Sequence, residues 1–197
     1  MNATLRSGTT ALSSLVLAAL VLVLGLRNRA LEERNRGLVR RFTEPHPGML
    51  VPSFSALTLR GDTAVVGAPK ADARQVVWFF TTTCPYCRAS LDRLRSLDSA
   101  LRGTGSRSAE LLMVGLDSAD AVRRYADSLR LSVPILLLSS QRLTLLCRVR
   151  AVPQLMVLDS SGRALYTRAG ALVNQVSLDS VLAAVRYRPP SVASGPR

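Results

Sequence analysis

A run of five apolar residues, Val76-Val77-Trp78-Phe79-Phe80, stops at three threonines and then at Cys84-Pro85-Tyr86-Cys87. A short apolar run of this kind suits a strand buried on both faces of a central sheet. Past the cysteines, Leu91, Leu94, Leu97 and Leu101 fall at i, i+3, i+6 and i+10, one face of a helix. Pro85 fits the first turn of that helix, where its missing N–H costs nothing. A buried strand therefore hands the chain to a helix N-terminus with a cysteine at the junction. Unpaired N–H groups and the macrodipole there, roughly +0.5 charge, favour a thiolate. The thiolate is the nucleophile of thiol–disulfide exchange. Cys87, one turn on, can resolve a mixed disulfide formed on Cys84.

Other uses of the pair fit less well. Structural zinc needs four ligands. The chain adds only Cys147 and His46, and His46 lies in Glu44-Pro45-His46-Pro47, which reads as an extended linker. Haem attachment needs a histidine directly after the second cysteine, where Arg88 stands. The remaining alternative is two unrelated cysteines at this spacing. Three cysteines are too few for a disulfide scaffold, and Cys147 reads as a buried small apolar residue.

The net charge is +13, with 25 arginines and one lysine. Such a balance raises nucleic-acid binding. The arginines are scattered, however, and no interleaved aromatics are present to stack bases, so no nucleic-acid partner is expected.

Ala11 to Leu26 is an unbroken small-and-apolar run, and Thr9 and Thr10 extend it to 18 residues. As a helix it is about 27 Å long, which just spans a hydrocarbon core of about 30 Å. A cleaved signal peptide has a shorter apolar core and a small-x-small cleavage site; this run instead meets Arg27-Asn28-Arg29. The expected organisation is a short tail at 1–10 and a transmembrane anchor at 11–26. A basic juxtamembrane segment and linker follow at 27–50, then a globular domain at 51–188 and a disordered tail at 189–197. Leu31 to Arg41 is expected to continue the anchor helix briefly.

Within the domain, Ser53–Leu59 and Ala64–Val66 around Gly61-Asp62 read as a hairpin. Strands are expected at Gln75–Phe80, Glu110–Leu116, Ile135–Leu138, Gln154–Leu158 and Arg163–Thr167. The helix after Cys84 should end at Gly103-Thr104-Gly105. The next is capped by Asp117 or Ser118 and carries Ala121, Val122, Tyr125, Ala126 and Leu129. A short helix or turn covers Ser140–Val149, and a final helix Val176–Val185 is capped by Asn174 or Ser177. The order β-β-β-α-β-α-β-α-β-β-α implies a central sheet with helices on both faces, with the last hairpin supplying antiparallel edge strands. Pro153, just before an apolar strand, sits at the one linkage where cis is cheap; a trans loop proline is the alternative.

The chain resembles the thioredoxin superfamily through Val77–Cys87, Arg150-Ala151-Val152-Pro153-Gln154 and the turn Asp159-Ser160-Ser161-Gly162-Arg163. With its apolar N-terminus and leading hairpin it is most similar to membrane-anchored oxidoreductases of the TlpA/ResA type. The resemblance covers about Val51 to Arg186. It implies a three-layer α/β sandwich with a central mixed sheet and an N-terminal hairpin extension. It makes Cys84 the exposed attacking sulfur and Cys87 the buried resolving one, with Thr83, Pro85 and Tyr86 around them. Pro153 is implied to be cis and to face the dithiol, while the Val152 backbone pairs with an extended substrate segment. The implied partners are cysteine-containing protein substrates, apocytochrome thiols among them, a membrane or soluble dithiol donor, and lipid through the anchor. No cofactor or metal is called for.

Six arginines follow the apolar run and one precedes it, which by the positive-inside rule draws the downstream flank to the cytoplasm. A single anchor ahead of a redox domain suits export, and with the resemblance it sets the expectation of an extracytoplasmic, periplasmic-side domain. The sequence departs from the family at three places. Thr83 replaces the usual tryptophan, Trp78 stands where thioredoxins carry a buried aspartate, and Ser90 where several anchored members carry a glutamate. Neither familiar proton acceptor for Cys87 is present. The Pro-Tyr dipeptide is that of glutaredoxins; the values of thioredoxin and disulfide isomerase, about −270 and −180 mV, bracket the range open to such a pair, and the sequence does not fix where in it this chain falls.

Two other functions compete. A peroxidase of this topology needs Pro-x-x-x-Thr-x-x-Cys; Thr81 fits the threonine, but Val77 holds the proline position. A non-enzymatic metallochaperone or docking module of the Sco-like kind uses a wider cysteine spacing and a partnering histidine.

Overall fold

The computed structural model describes residues 2–69, 73–103, 109–138 and 140–187, with the side chains of 2–14, 40 and 41 outside that description. The expected tail at 189–197 and the second half of the glycine stop at 104–105 lie outside the described residues. The chain divides after Thr43 into two units.

The first unit is one helix, α1, Asn2–Thr43. It runs past the short continuation expected at Leu31–Arg41. Its large apolar side chains from Leu15 to Leu26 are all exposed. Among the described residues no helix is long and apolar enough to cross a membrane. The anchor expected at 11–26 begins in the stretch whose side chains lie outside the description.

The second unit has a two-stranded sheet, β1 (Phe54–Leu57) and β2 (Thr63–Val66), paired antiparallel. A five-stranded sheet follows, made of β3 (Arg74–Phe80), β4 (Ala109–Gly115), β5 (Ile135–Leu137), β6 (Gln154–Leu158) and β7 (Ala164–Ala169). Its order is β5-β4-β3-β6-β7. β4 lies parallel to β3 and to β5, whereas β6 is antiparallel to β3 and to β7. The mixed central sheet is therefore the expected one, with a correction. The last hairpin does not supply two edges: β6 lies inside the sheet and only β7 is an edge.

Alternation along the strands divides the core. Val76, Trp78, Phe80, Leu111, Met113, Leu155 and Val157 face one side. There they meet α3 (Leu91–Gly103), α4 (Ala119–Ser128) and α6 (Gln175–Arg186) through Leu94, Val122 and Leu178. Val77, Phe79, Leu112, Val114, Met156 and Leu158 face the other. Met49, Val51, Phe54, Val66 and Leu143 of the short helix α5 (Gln141–Leu146) cover that side. Packing so many side chains from a central strand on both faces is the main stabilising term, at roughly 25 cal/mol per Å² of apolar surface removed from water.

The turn before β7 shows how tightly the second face is closed. Gly162 sits at φ +78°, and an added Cβ would run into the Gly67 carbonyl oxygen. Gly162 O also accepts the Val51 N–H at 2.9 Å, which ties the incoming chain to the sheet.

Candidate active site

The helix expected to run unbroken from Pro85 is two helices, α2 (Pro85–Ala89) and α3, with Ser90 between them. The break has a local cause. Ser90 is fully buried, and its hydroxyl donates to the Tyr86 carbonyl at 2.7 Å. This serine back-bonding to residue i−4 bends helices. The same hydroxyl oxygen accepts the Leu172 N–H at 2.9 Å. One small side chain thus clamps the cysteine-bearing turn to the loop after β7.

Cys84 is the N-cap of α2, with extended backbone at φ −76° and ψ 115°, and Pro85 opens the helix. Its sulfur accepts the Cys87 N–H at 3.2 Å. With α2 only five residues long, this single N–H, rather than a long macrodipole, is what reaches the sulfur. The Cys84 thiol also donates to the Val152 carbonyl at 3.6 Å. Cys84 is half-buried and Cys87 fully buried. Thr83, Pro85 and Tyr86 ring the pair and are exposed, Tyr86 by 65%.

The Val152–Pro153 bond is cis. Pro153 is buried and Val152 half-buried, bordering both core faces. The seven residues singled out from the sequence therefore fall into one place. Two segments, 83–87 and 152–153, meet where the C-terminal end of β3 faces the start of β6.

Burial pushes the Cys87 thiol up to about 12, helped by the Cys84 sulfur and by the negative charge of Asp117, while the Thr81 backbone favours the thiolate. Cys147 is also buried and is pushed up to about 12 by burial alone. It belongs to the other core face. Trp78, at the familiar aspartate position, is buried and stacks on Phe80 at 5.2 Å.

Sequence reasoning missed Asp117. Assigned as a possible cap for α4, it turns the other way. Ser118 is the N-cap residue, without a side-chain hydrogen bond. Asp117 Oδ2 accepts the Thr82 N–H at 2.5 Å and the Thr82 hydroxyl at 2.7 Å. The signal was the parallel register: Phe80 lies opposite Gly115, so Thr82 and Asp117, two residues further on each chain, are neighbours. Tyr125 was read only as a core residue. Its ring packs on Phe80 at 5.6 Å, and its hydroxyl is buried with no hydrogen-bond partner among the described residues.

His46 lies against the Glu44 carbonyl and the Arg148 guanidinium. No group of three or more histidine, cysteine or acidic residues that could hold a metal occurs among the described residues.

Sheet order, the dithiol at a strand-to-helix junction and the cis-proline loop define a thioredoxin-like oxidoreductase. Solved structures with this fold include StoA from Bacillus subtilis, 22% identical, with TM-score 0.56 over 65% of this chain and 96% of that one. A putative thiol:disulfide interchange protein DsbE from Chlorobium tepidum is 16% identical, with TM-score 0.61 over 71% of this chain and 98% of that one. Peroxidoxin BcpB from Mycobacterium tuberculosis is 17% identical, with TM-score 0.60 over 73% of this chain and 98% of that one. No curated protein matches the sequence. The chain belongs to the AhpC/TSA family, whose model matches residues 47–166.

Proposed function

We propose that the protein is a membrane-anchored thiol–disulfide oxidoreductase that reduces or exchanges disulfides in extracytoplasmic proteins through Cys84 and Cys87. One observation carries this reading: an accessible sulfur holds the N–H of a second cysteine that is wholly buried beneath it. Cys84 thiolate attacks a substrate disulfide, forming a mixed disulfide and releasing one substrate thiolate. Cys87 then attacks the Cys84 sulfur, closes the enzyme disulfide and expels the second substrate thiolate, which takes a proton from solvent. Two electrons pass from enzyme to substrate, and a membrane or soluble dithiol donor restores the pair. The exposed Tyr86 and the Val152 backbone suit an extended cysteine-containing polypeptide, apocytochromes included. The Cys84→Ser variant is expected to lose all disulfide reduction on an insulin-type substrate. Full activity in that variant overturns the reading.

Anchoring rests on the sequence of 9–26 and on the exposed leucines and valines from Leu15 to Leu26 of α1. A C-terminal reporter active only outside the cytoplasm tests the orientation.

A thiol peroxidase is the second reading, favoured by the family match. Against it, Val77 occupies the proline position and points to the core face away from Cys87. Peroxide consumption separates the two activities.

A further inference from the structure

The helix α1 does not stop where its apolar run ends at Leu26; it continues through Arg27 to Thr43. Little within that second stretch accounts for its being helical. Gly37, among the poorest of helix formers, has nothing packed near it. The Arg36–Glu32 ion pair spans 3.5 Å between exposed side chains, and Asn28 reaches Glu32 at 3.5 Å. Exposed contacts of that kind add little, and a lone helix of this length is marginal in water.

The spacing of its side chains supplies a reason. Leu17, Leu24, Leu31 and Leu38 recur every seven residues, and Val21, Asn28, Asn35 and Phe42 recur midway between them. In a heptad the leucines take position d and the second set position a. All the apolar members of both sets are more than half exposed. Between Arg27 and Leu38 the large apolar residues are Leu31 and Leu38, both at d. The outer positions b, c and f of that stretch hold Arg29, Ala30, Glu33, Arg36 and Gly37. A lipid surface or a broad core calls for an apolar stripe about 100° wide or more. A narrow seam kept at a seven-residue repeat, here over about 39 Å of helix, suits a second helix supercoiled on the first.

We propose that α1 is one strand of a parallel two-stranded coiled coil formed with a second copy of this chain. Three features select that occupant. Asn28 and Asn35 each meet their own counterpart when the strands run parallel and in register, and each side-chain amide can then both donate and accept. Antiparallel strands would layer a against d, setting asparagine on leucine with its amide unsatisfied. Asparagine at a also fixes register and the number of strands. Arg27, at g, falls beside Glu32 at e of the second copy, and the symmetry repeats that attraction on the other flank. Arg34, the next g, falls beside Val39 of the second copy, so no like charges meet along the seam. The inference goes beyond the dithiol chemistry and does not depend on it.

The test uses the full chain in detergent micelles. Light scattering should give twice the chain mass for the protein component. Leu31→Arg with Leu38→Arg places charge at two d layers and should weaken self-association at least about a hundredfold, with disulfide reduction per chain unchanged. Register is read by cross-linking, in chains whose three native cysteines are replaced. Asn28→Cys, at a, should form disulfide-linked dimers under mild oxidation at least about tenfold faster than Glu33→Cys, at f. Wild-type protein that is monomeric, or trimeric or larger, overturns the proposal, as does one that pairs only with a different polypeptide. So does a dimer that survives the double arginine substitution, or cross-linking as fast at 33 as at 28. Loss of disulfide reduction in a wild-type dimer would sink the oxidoreductase reading and leave this inference standing.

Discussion

The two faces of the central sheet each bury a cysteine, and the two thiols differ in what surrounds them rather than in how deep they lie. Cys87 and Cys147 are both fully inaccessible, and both are pushed up to about 12. For Cys147, among Val77, Phe79, Met156 and Leu158 on its face, burial is the whole cause. For Cys87, burial is joined by the Cys84 sulfur, the Asp117 charge and a Thr81 backbone group that favours the anion. An apolar environment makes a thiol inert. A buried thiol becomes useful when groups that respond to its ionisation stand beside it, and only the Cys87 face supplies them.

The largest effect that bears on this contrast is chemical. A water-soluble alkylating reagent at pH 8 should label Cys84 alone in the reduced native protein, because its sulfur is the only accessible one of the three. Cys87 and Cys147 should react only through opening of the fold, at least about a thousandfold more slowly for a domain of ordinary stability. Mass spectrometry of partially labelled protein counts the sites. Labelling of Cys147 as fast as Cys84 would break the comparison.

The next effects are on stability, and they differ by face. Gly162→Ala, beside the Cys147 core, forces a side chain into φ +78° and against the Gly67 carbonyl. It should cost about 2–4 kcal/mol and leave the chemistry of folded protein unchanged. Ser90→Ala, on the dithiol face, strips the Leu172 N–H of its acceptor and should cost about 1–3 kcal/mol. Because Ser90 also clamps the turn carrying Tyr86 and Cys87, its loss should slow resolution of a mixed disulfide as well. Denaturant unfolding paired with single-turnover release distinguishes the two. Equal loss of chemistry in both variants would erase the distinction between the faces.

The sequence made the dithiol face legible because its signals are local. The apolar run of β3, the proline after Cys84 and the leucine spacing of α3 each follow from a few consecutive residues. The proline at 153 was legible by its place before an apolar strand. What stayed hidden depends on pairing across the sheet. Asp117 read as a helix cap because nothing within its own segment reveals Thr82, which is brought beside it by the β3–β4 register. Ser90 read as a missing glutamate because its partner, Leu172, lies 82 residues away. The interior position of β6 was missed for the same reason: hairpin spacing indicates that β6 pairs with β7, not that β3 takes its other side.

Titration offers the finest separation of the two thiols. Both folded values lie above the ordinary 9.0, so the native state holds these protons more tightly than the unfolded chain. The stability this contributes is fully present below about pH 9 and is lost as pH rises toward 12. Over that window the reduced protein should lose about 1.4 kcal/mol per pH unit for each buried thiol, and Tyr125, also raised, adds to the same limb. Removing Cys147 by substitution to alanine deletes one thiol's share and should flatten the slope by about 1.4 kcal/mol per pH unit, whichever redox state is measured. Oxidising the dithiol should flatten it again, because a disulfide has no proton to lose. Denaturant unfolding from pH 8 to 11, on reduced and oxidised wild type and on the Cys147→Ala variant, measures each share. A slope that ignores the redox state would mean that Cys87 titrates alike in the folded and unfolded chains, and the distinction drawn between a buried thiol and a poised one would fail at its source.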